Sequence, residues 1–100
     1  MEIKRYQDKI TIEVNGNEIG KITFYEENGK LIVDHTYVNP EYRGQNLGIV
    51  LVDKVVDYAR LKNIKIIPVC PYVEKVLKKD AKYVDIYETN HDYNVACKIN

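Results

Sequence analysis

Two Asn-Gly pairs, Asn15-Gly16 and Asn28-Gly29, stand between three segments of alternating hydrophobicity. A two-residue turn whose twist matches its flanking strands needs positive φ at both central positions, and Asn-Gly supplies this at least cost. The segment KITIEV (9–14) puts Ile10, Ile12 and Val14 on one face. In EIGKITFYEE (18–27), Ile22 and Phe24 alternate with Lys21, Thr23 and Tyr25. The third segment, KLIVDHTYV (30–38), is rich in β-branched and aromatic residues. Period two between tight turns predicts an antiparallel three-stranded meander.

Asn39-Pro40 ends the third strand, because proline has no N–H for the ladder. The period then changes. Leu47, Val50, Leu51, Val55, Tyr58 and Ala59 form one helical stripe, opposite Asp53, Lys54, Asp57 and Arg60. This helix is predicted to end at LKN (61–63), with Asn63 as a left-handed cap. IKIIPV (64–69) reads as a buried strand, parallel to the strand before the helix. CPYVEKVLKKD (70–80) reads as a second helix with Cys70 at the N-cap, Pro71 at the first helical position and Tyr72, Val73, Val76 and Leu77 as its apolar face. KYVDIYE (82–88) is expected to be a short strand, and HDYNVACKIN (91–100) a further strand or a loose tail. The order β-β-β-α-β-α predicts an α+β fold with a mixed sheet, not a doubly wound one.

A chain of 100 residues is expected to form a single domain over 1–100. Its formal net charge is zero, so no overall field draws it to nucleic acid or to an anionic membrane, and any anion site is local. No apolar run approaches the roughly 20 residues that a membrane helix needs, and the N-terminus lacks a signal-peptide pattern. Cys70 and Cys97 belong to no CxxC pair, which fits reduced thiols in the cytoplasm. The spacing of His35, Cys70, His91 and Cys97 is irregular for zinc, so no metal is expected.

The richest chemistry lies in VNPEYRGQNLGIVLV (38–52), where a loop with Arg43 and two glycines opens a greasy helix. The backbone amides of Gly44, Gln45, Asn46, Leu47 and Gly48 would surround the helix start, where the first N–H groups have no intrahelical partner. The helix dipole adds partial positive charge, and Arg43 adds a full one, so the natural guest is a phosphate or pyrophosphate. By spacing alone, a simple turn before a helix competes with that reading. The loop is neither a GxxxxGK[ST] nor a GxGxxG motif.

The spacing Arg43-x-x-Asn46-x-Gly48 resembles the pyrophosphate loop Q/R-x-x-G-x-G/A of the GCN5-related N-acetyltransferases (GNATs). HTYVNPEYRGQNLG, ARLKNIKIIPVCPYV and KYVDI together are similar to a small single-domain branch of that family, over residues 9–86, with 87–100 as an extension. The resemblance implies a GNAT-like mixed sheet, a meander followed by β-α-β-α, in which strands 30–38 and 64–69 splay apart. It implies acetyl-CoA as donor, with the pantetheine arm in the gap and an unidentified amine as acceptor. Val38, Arg43, Gly44, Gln45, Asn46, Leu47 and Gly48 would hold the cofactor, with Cys70 and Pro71 beside its thioester. Asn46 stands where the family has glycine, and asparagine tolerates left-handed geometry best among residues with a side chain. The resemblance also implies that this small branch lacks most of the helical insertion with which larger members grip the amine.

Cys70 is the sharpest catalytic candidate: a nucleophile that takes the acetyl group and passes it on, a residue that positions the thioester, or a small buried hydrophobe. His35 is a candidate general base, or else an ordinary sheet histidine. The resemblance gives Tyr72 and Tyr83 as candidate proton donors to the departing thiolate, although helical spacing assigns Tyr72 to the core. Glu26, Glu27 and Asp34 read as a solvated rim. Rival readings are a CoA-binding or sensing module without turnover, and an interaction domain. The chain is expected to be a monomer or weak homodimer.

Overall fold

The computed structural model describes residues 1–89. Its strands are β1 (Glu2–Arg5), β2 (Lys9–Val14), β3 (Asn17–Glu27), β4 (Lys30–Val38) and β5 (Lys65–Pro68). Helix α1 (Leu47–Lys62) lies between β4 and β5, and α2 (Pro71–Lys79) follows β5. The sheet runs in chain order, antiparallel from β1 to β4, with β5 parallel to β4. Both Asn-Gly turns form as their chemistry requires, with positive φ at Asn15, Gly16, Asn28 and Gly29.

Strand β1 has no counterpart in the sequence reading. All four of its residues are exposed, so burial leaves no period-two pattern to read. The charged residues Glu2, Lys4 and Arg5 suit a sheet edge, which charge protects from further pairing. A second correction concerns 82–88. Ala81–Tyr83 instead form a short 3-10 turn, whose first N–H groups are met by the Asp80 carboxylate, which accepts from the Lys82 amide at 3.0 Å. Of the expected strand, only a bridge between Ile66 and Tyr87 remains. The reading of 91–100, with His91 and Cys97, lies outside the described residues.

One apolar core joins the meander to both helices. Ile10, Ile12, Ile22, Phe24, Leu31, Val33 and Ile66 from the sheet meet Leu47, Leu51, Val52, Val55, Val56 and Ala59 of α1 and Val73 and Leu77 of α2. The buried face of α1 is wider than the expected stripe, because α1 packs on the sheet and also touches α2. At its end, Asn63 takes the left-handed conformation (φ 58°, ψ 43°) as expected, and its N–H reaches the Ala59 and Arg60 carbonyls.

Two local features shape the site. Between Thr23 and Phe24 the β3–β4 register slips by one residue, leaving Asp34 as the extra residue of a bulge. The Thr23 hydroxyl donates to the Asp34 carboxylate at 2.6 Å and pins it. On the other side of β4, the ladder with β5 ends at Val33–Pro68. The Val33 carbonyl accepts from both the Val69 and Cys70 amides, each at 3.0 Å, just past the end of that ladder. A bulge on one side and a proline on the other thus let β4 leave β5.

Candidate functional site

Beyond Val33, Thr36 and Val38 of β4 face α1 across a cavity of about 370 Å³. Arg43, Gly44, Asn46, Leu47 and Gly48 close one end, and Tyr72 of α2 stands at the side. The loop that builds this end follows from its residues. Asn39 accepts from the Glu41 amide at 2.9 Å and starts a single turn, with Pro40 at its first position. Gly44 then takes φ +89°, a conformation that glycine alone adopts freely. Asn46 is left-handed (φ 60°, ψ 27°) and serves as the N-cap of α1, yet its side chain caps nothing.

The start of α1 is therefore unsatisfied. No side chain caps it, and its first turn holds no acidic residue. The amides of Gly44, Gln45 and Asn46 have no hydrogen-bond partner among the described residues. Arg43 is anchored by its Nε, which donates to the Val38 carbonyl at 3.2 Å and leaves the outer guanidinium nitrogens without a partner among the described residues. Donors and positive charge converge with no internal acceptor, which suits a phosphate or pyrophosphate.

Gly48 has a separate role. A Cβ placed there would stand 2.5 Å from the Tyr72 hydroxyl oxygen and 2.8 Å from the adjoining ring carbon. The absent side chain is the space that the Tyr72 ring occupies. Tyr72 is 38% exposed, not part of the apolar core as the helical spacing suggested. It is the second residue of α2, whose buried residues are Val73 and Leu77. Partial burial, with the neighbouring Cys70 second, raises its phenol above the usual tyrosine range.

Cys70 is 6% exposed and forms the N-cap of α2, where Pro71 takes the first helical position as expected. Its thiol donates to the Thr36 hydroxyl at 3.8 Å. That contact joins β4 to the start of α2. Of the residues expected to hold the cofactor, Val38, Arg43, Gly44, Asn46, Leu47 and Gly48 come together around one cavity. Gln45 is exposed in the same loop, and Pro71 is exposed at the α2 start. His35 is exposed on β4 outside this lining, opposite Thr23 in register. With the bulge at Asp34, alternation turns His35 and Tyr37 to the sheet face away from Thr36 and Val38. Thr36 went unmarked in the sequence, although it lies two residues before Val38 and so shares its face.

Tyr83 does not line the cavity. It is buried against α1, where its hydroxyl donates to the Asp53 carboxylate. Desolvation first, and that carboxylate second, hold its phenol well above the tyrosine range. Among the described residues, no three of His, Cys, Asp and Glu gather closely enough for a metal ion, and no helix is long and apolar enough to cross a membrane.

Comparisons with known proteins agree with this geometry. The chain is 30% identical over 82 residues to Protein NATD1 of Homo sapiens, covering 80% of this chain and 73% of that protein. The Gallus gallus protein of the same name is also 30% identical, with 74% of its length covered. The solution structure of a GCN5-like protein from Staphylococcus aureus superposes with a TM-score of 0.73 at 33% identity, covering 95% of both chains. A protein from Clostridium acetobutylicum, solved with acetyl-CoA, shares the fold at 21% identity, with a TM-score of 0.60, 92% of this chain and 65% of that one. The family model described as GCN5-related N-acetyl-transferase matches residues 9–86. Loop, splayed strands and chain-long likeness agree: the chain belongs to the GCN5-related N-acetyltransferase family.

Proposed function

We propose that this domain binds acetyl-CoA in the opening between β4 and β5 and transfers its acetyl group to an amine. The observation that carries this reading is the uncapped start of α1 at the mouth of a gap between two strands that part after Val33. The residues fit such a donor. Gly44 and Asn46 hold the left-handed turns that gather the loop amides, and the missing Gly48 side chain keeps the cradle open beside Tyr72. In this reading the amides of Gly44 to Gly48 and the Arg43 guanidinium hold the pyrophosphate. Val38 and Leu47 line the arm. Thr36, Cys70 and Pro71 flank the thioester.

When bound, acetyl-CoA supplies an activated carbonyl. The amine nitrogen forms the new bond to the acetyl carbon, the carbon–sulfur bond breaks with its electron pair on sulfur so that CoA leaves as its thiolate, and the amine gives up a proton. His35, exposed on the face opposite the cavity, receives that proton from an amine entering on that side, directly or through one water. Cys70 acts as a thiol that positions the reacting end. Its Sγ lies 3.8 Å from the Thr36 hydroxyl, which holds the side chain between β4 and the start of α2.

The test is consumption of acetyl-CoA, followed chromatographically, with a panel of primary amines, polyamines and peptides bearing free N-termini. Amine-dependent CoA release supports transfer. Binding with no release across the panel would instead favour a CoA-sensing module, in keeping with the missing amine-gripping insertion.

A further inference from the structure

Strand β1 is an edge of the sheet, and its outer side pairs with no strand among the described residues. Which of its peptide groups face outward follows from the turn into β2. The Tyr6 amide donates to the Lys9 carbonyl at 2.7 Å, and hydrogen-bonded positions alternate along an antiparallel pair. With Lys4 across from Thr11 and Glu2 across from Glu13, residues 2, 4 and 6 direct their N–H and C=O groups at β2, while Ile3 and Arg5 turn theirs to the open edge. The side chains fall into two sets as well. Ile3 and Arg5 line a groove of about 640 Å³ against Tyr58 and Leu61 of α1. Ile3 is 42% exposed, Met1 69% and Leu61 75%. Alternation puts Glu2 and Lys4 on the opposite face, where Lys4 pairs with Glu13 at 3.3 Å. Glu2 stands directly across from the like-charged Glu13, an unfavourable pair.

We propose that this edge is a homodimer interface, in which β1 of a second copy adds antiparallel to β1 about a two-fold axis at Ile3. Outward peptide groups must meet outward ones, so Ile3 lies across from Met1, Ile3 or Arg5 of the second copy. Pairing with Met1 sets Glu2 against Glu2. Pairing with Arg5 sets Lys4 against Lys4. Pairing with Ile3 sets Glu2 against Lys4, twice by symmetry. The charges that keep foreign strands off this edge therefore select one register with its own copy. In that register the lysine of the second copy also offsets the repulsion between Glu2 and Glu13. On the helix side, Ile3 meets Ile3, and Met1 lies across from Arg5 at the margin of the groove that Leu61 lines, so exposed apolar side chains cover one another. The sheet order sets β1 at the edge opposite β5, so the pairing leaves the opening between β4 and β5 free.

Sedimentation velocity from tens of micromolar to about 1 mM protein tests this, a range suited to a small interface. Circular dichroism checks the fold of each variant. The wild type should show a sedimentation coefficient that rises with concentration. Ile3→Pro removes the central outward N–H and leaves the pairing with β2 in place, a change that an edge strand tolerates; it should weaken self-association by more than about tenfold. Glu2→Lys sets like charges across the axis and should weaken association several-fold. The exchange Glu2→Lys/Lys4→Glu should restore it, because it rebuilds both cross-axis pairs and position 2 also lies across from Glu13. A wild type that sediments as a monomer at every concentration, an Ile3→Pro variant that associates as tightly as the wild type, or an exchange that leaves association as weak as in Glu2→Lys overturns the interface.

Discussion

Four residues in and beside the cavity give separable outcomes. Replacing Arg43 with Ala removes a charge-assisted hydrogen bond from an exposed position, so CoA affinity should fall roughly tenfold with Tm unchanged; calorimetry and a melting curve check both halves. Gly48 and Tyr72 are coupled. Alanine at a helical glycine normally stabilises by about 0.5–1 kcal/mol, but here the methyl meets the Tyr72 ring. Gly48→Ala should therefore be neutral or destabilising by about 1 kcal/mol on its own, and stabilising in a Tyr72→Ala background. A double-mutant cycle by urea denaturation should read that sign change; additive effects would mean that the ring does not rest on Gly48. Cys70→Ala should keep acetyl transfer within a few-fold if the thiol only positions the thioester. Loss of transfer, together with an acetyl mass on Cys70 in the wild type, would make the thiol a covalent carrier instead.

At the scale of elements, the legible parts were those whose residue types admit one backbone solution. The two Asn-Gly turns, Pro40, Pro71 and Asn63 each mark a boundary that the structure places within a residue or two. Asn63→Gly should be neutral to mildly stabilising, whereas Asn63→Ala should cost about 1 kcal/mol, because only the latter puts an ordinary Cβ in the left-handed region; chemical denaturation measures both. The missed parts have physical reasons too. β1 joins the sheet edge through backbone pairing, which leaves no hydrophobic pattern. Ala81–Tyr83 turns because Asp80 caps it, whereas the apolar residues Tyr83, Val84 and Ile86 suggest a strand. In the site, the loop residues could be read from glycine and arginine chemistry. Thr36 and the exposed position of Tyr72 depend on how β4 diverges from β5 and α2 settles against α1, both set by packing across the chain.

At the scale of the whole molecule, the segment after α2 is tied to α1. Arg60 donates to the Lys82 carbonyl and to Asp85, and Tyr83 donates to Asp53. The Tyr83 phenol is raised in the folded state above its ordinary value of 10.0. Its contribution to stability is therefore fully present below about pH 10 and is lost as pH rises beyond that, when the unfolded chain ionises first. Tyr83→Phe should cost about 1 kcal/mol at neutral pH and flatten the fall of stability between pH 9 and about 11, read by urea midpoints across that range. A parallel fall in both proteins would separate Tyr83 from alkaline unfolding. Acetyl-CoA binding in the opening between β4 and β5 is tested most directly by amide chemical shifts of the nitrogen-15-labelled protein during a titration. Binding in the cleft predicts saturable shifts at Thr36, Gly44 to Gly48, Cys70 and Tyr72, with the distant Gln7, Asp8 and Lys62 unmoved. No shifts at millimolar acetyl-CoA, or shifts clustered around Tyr58 instead, would contradict it.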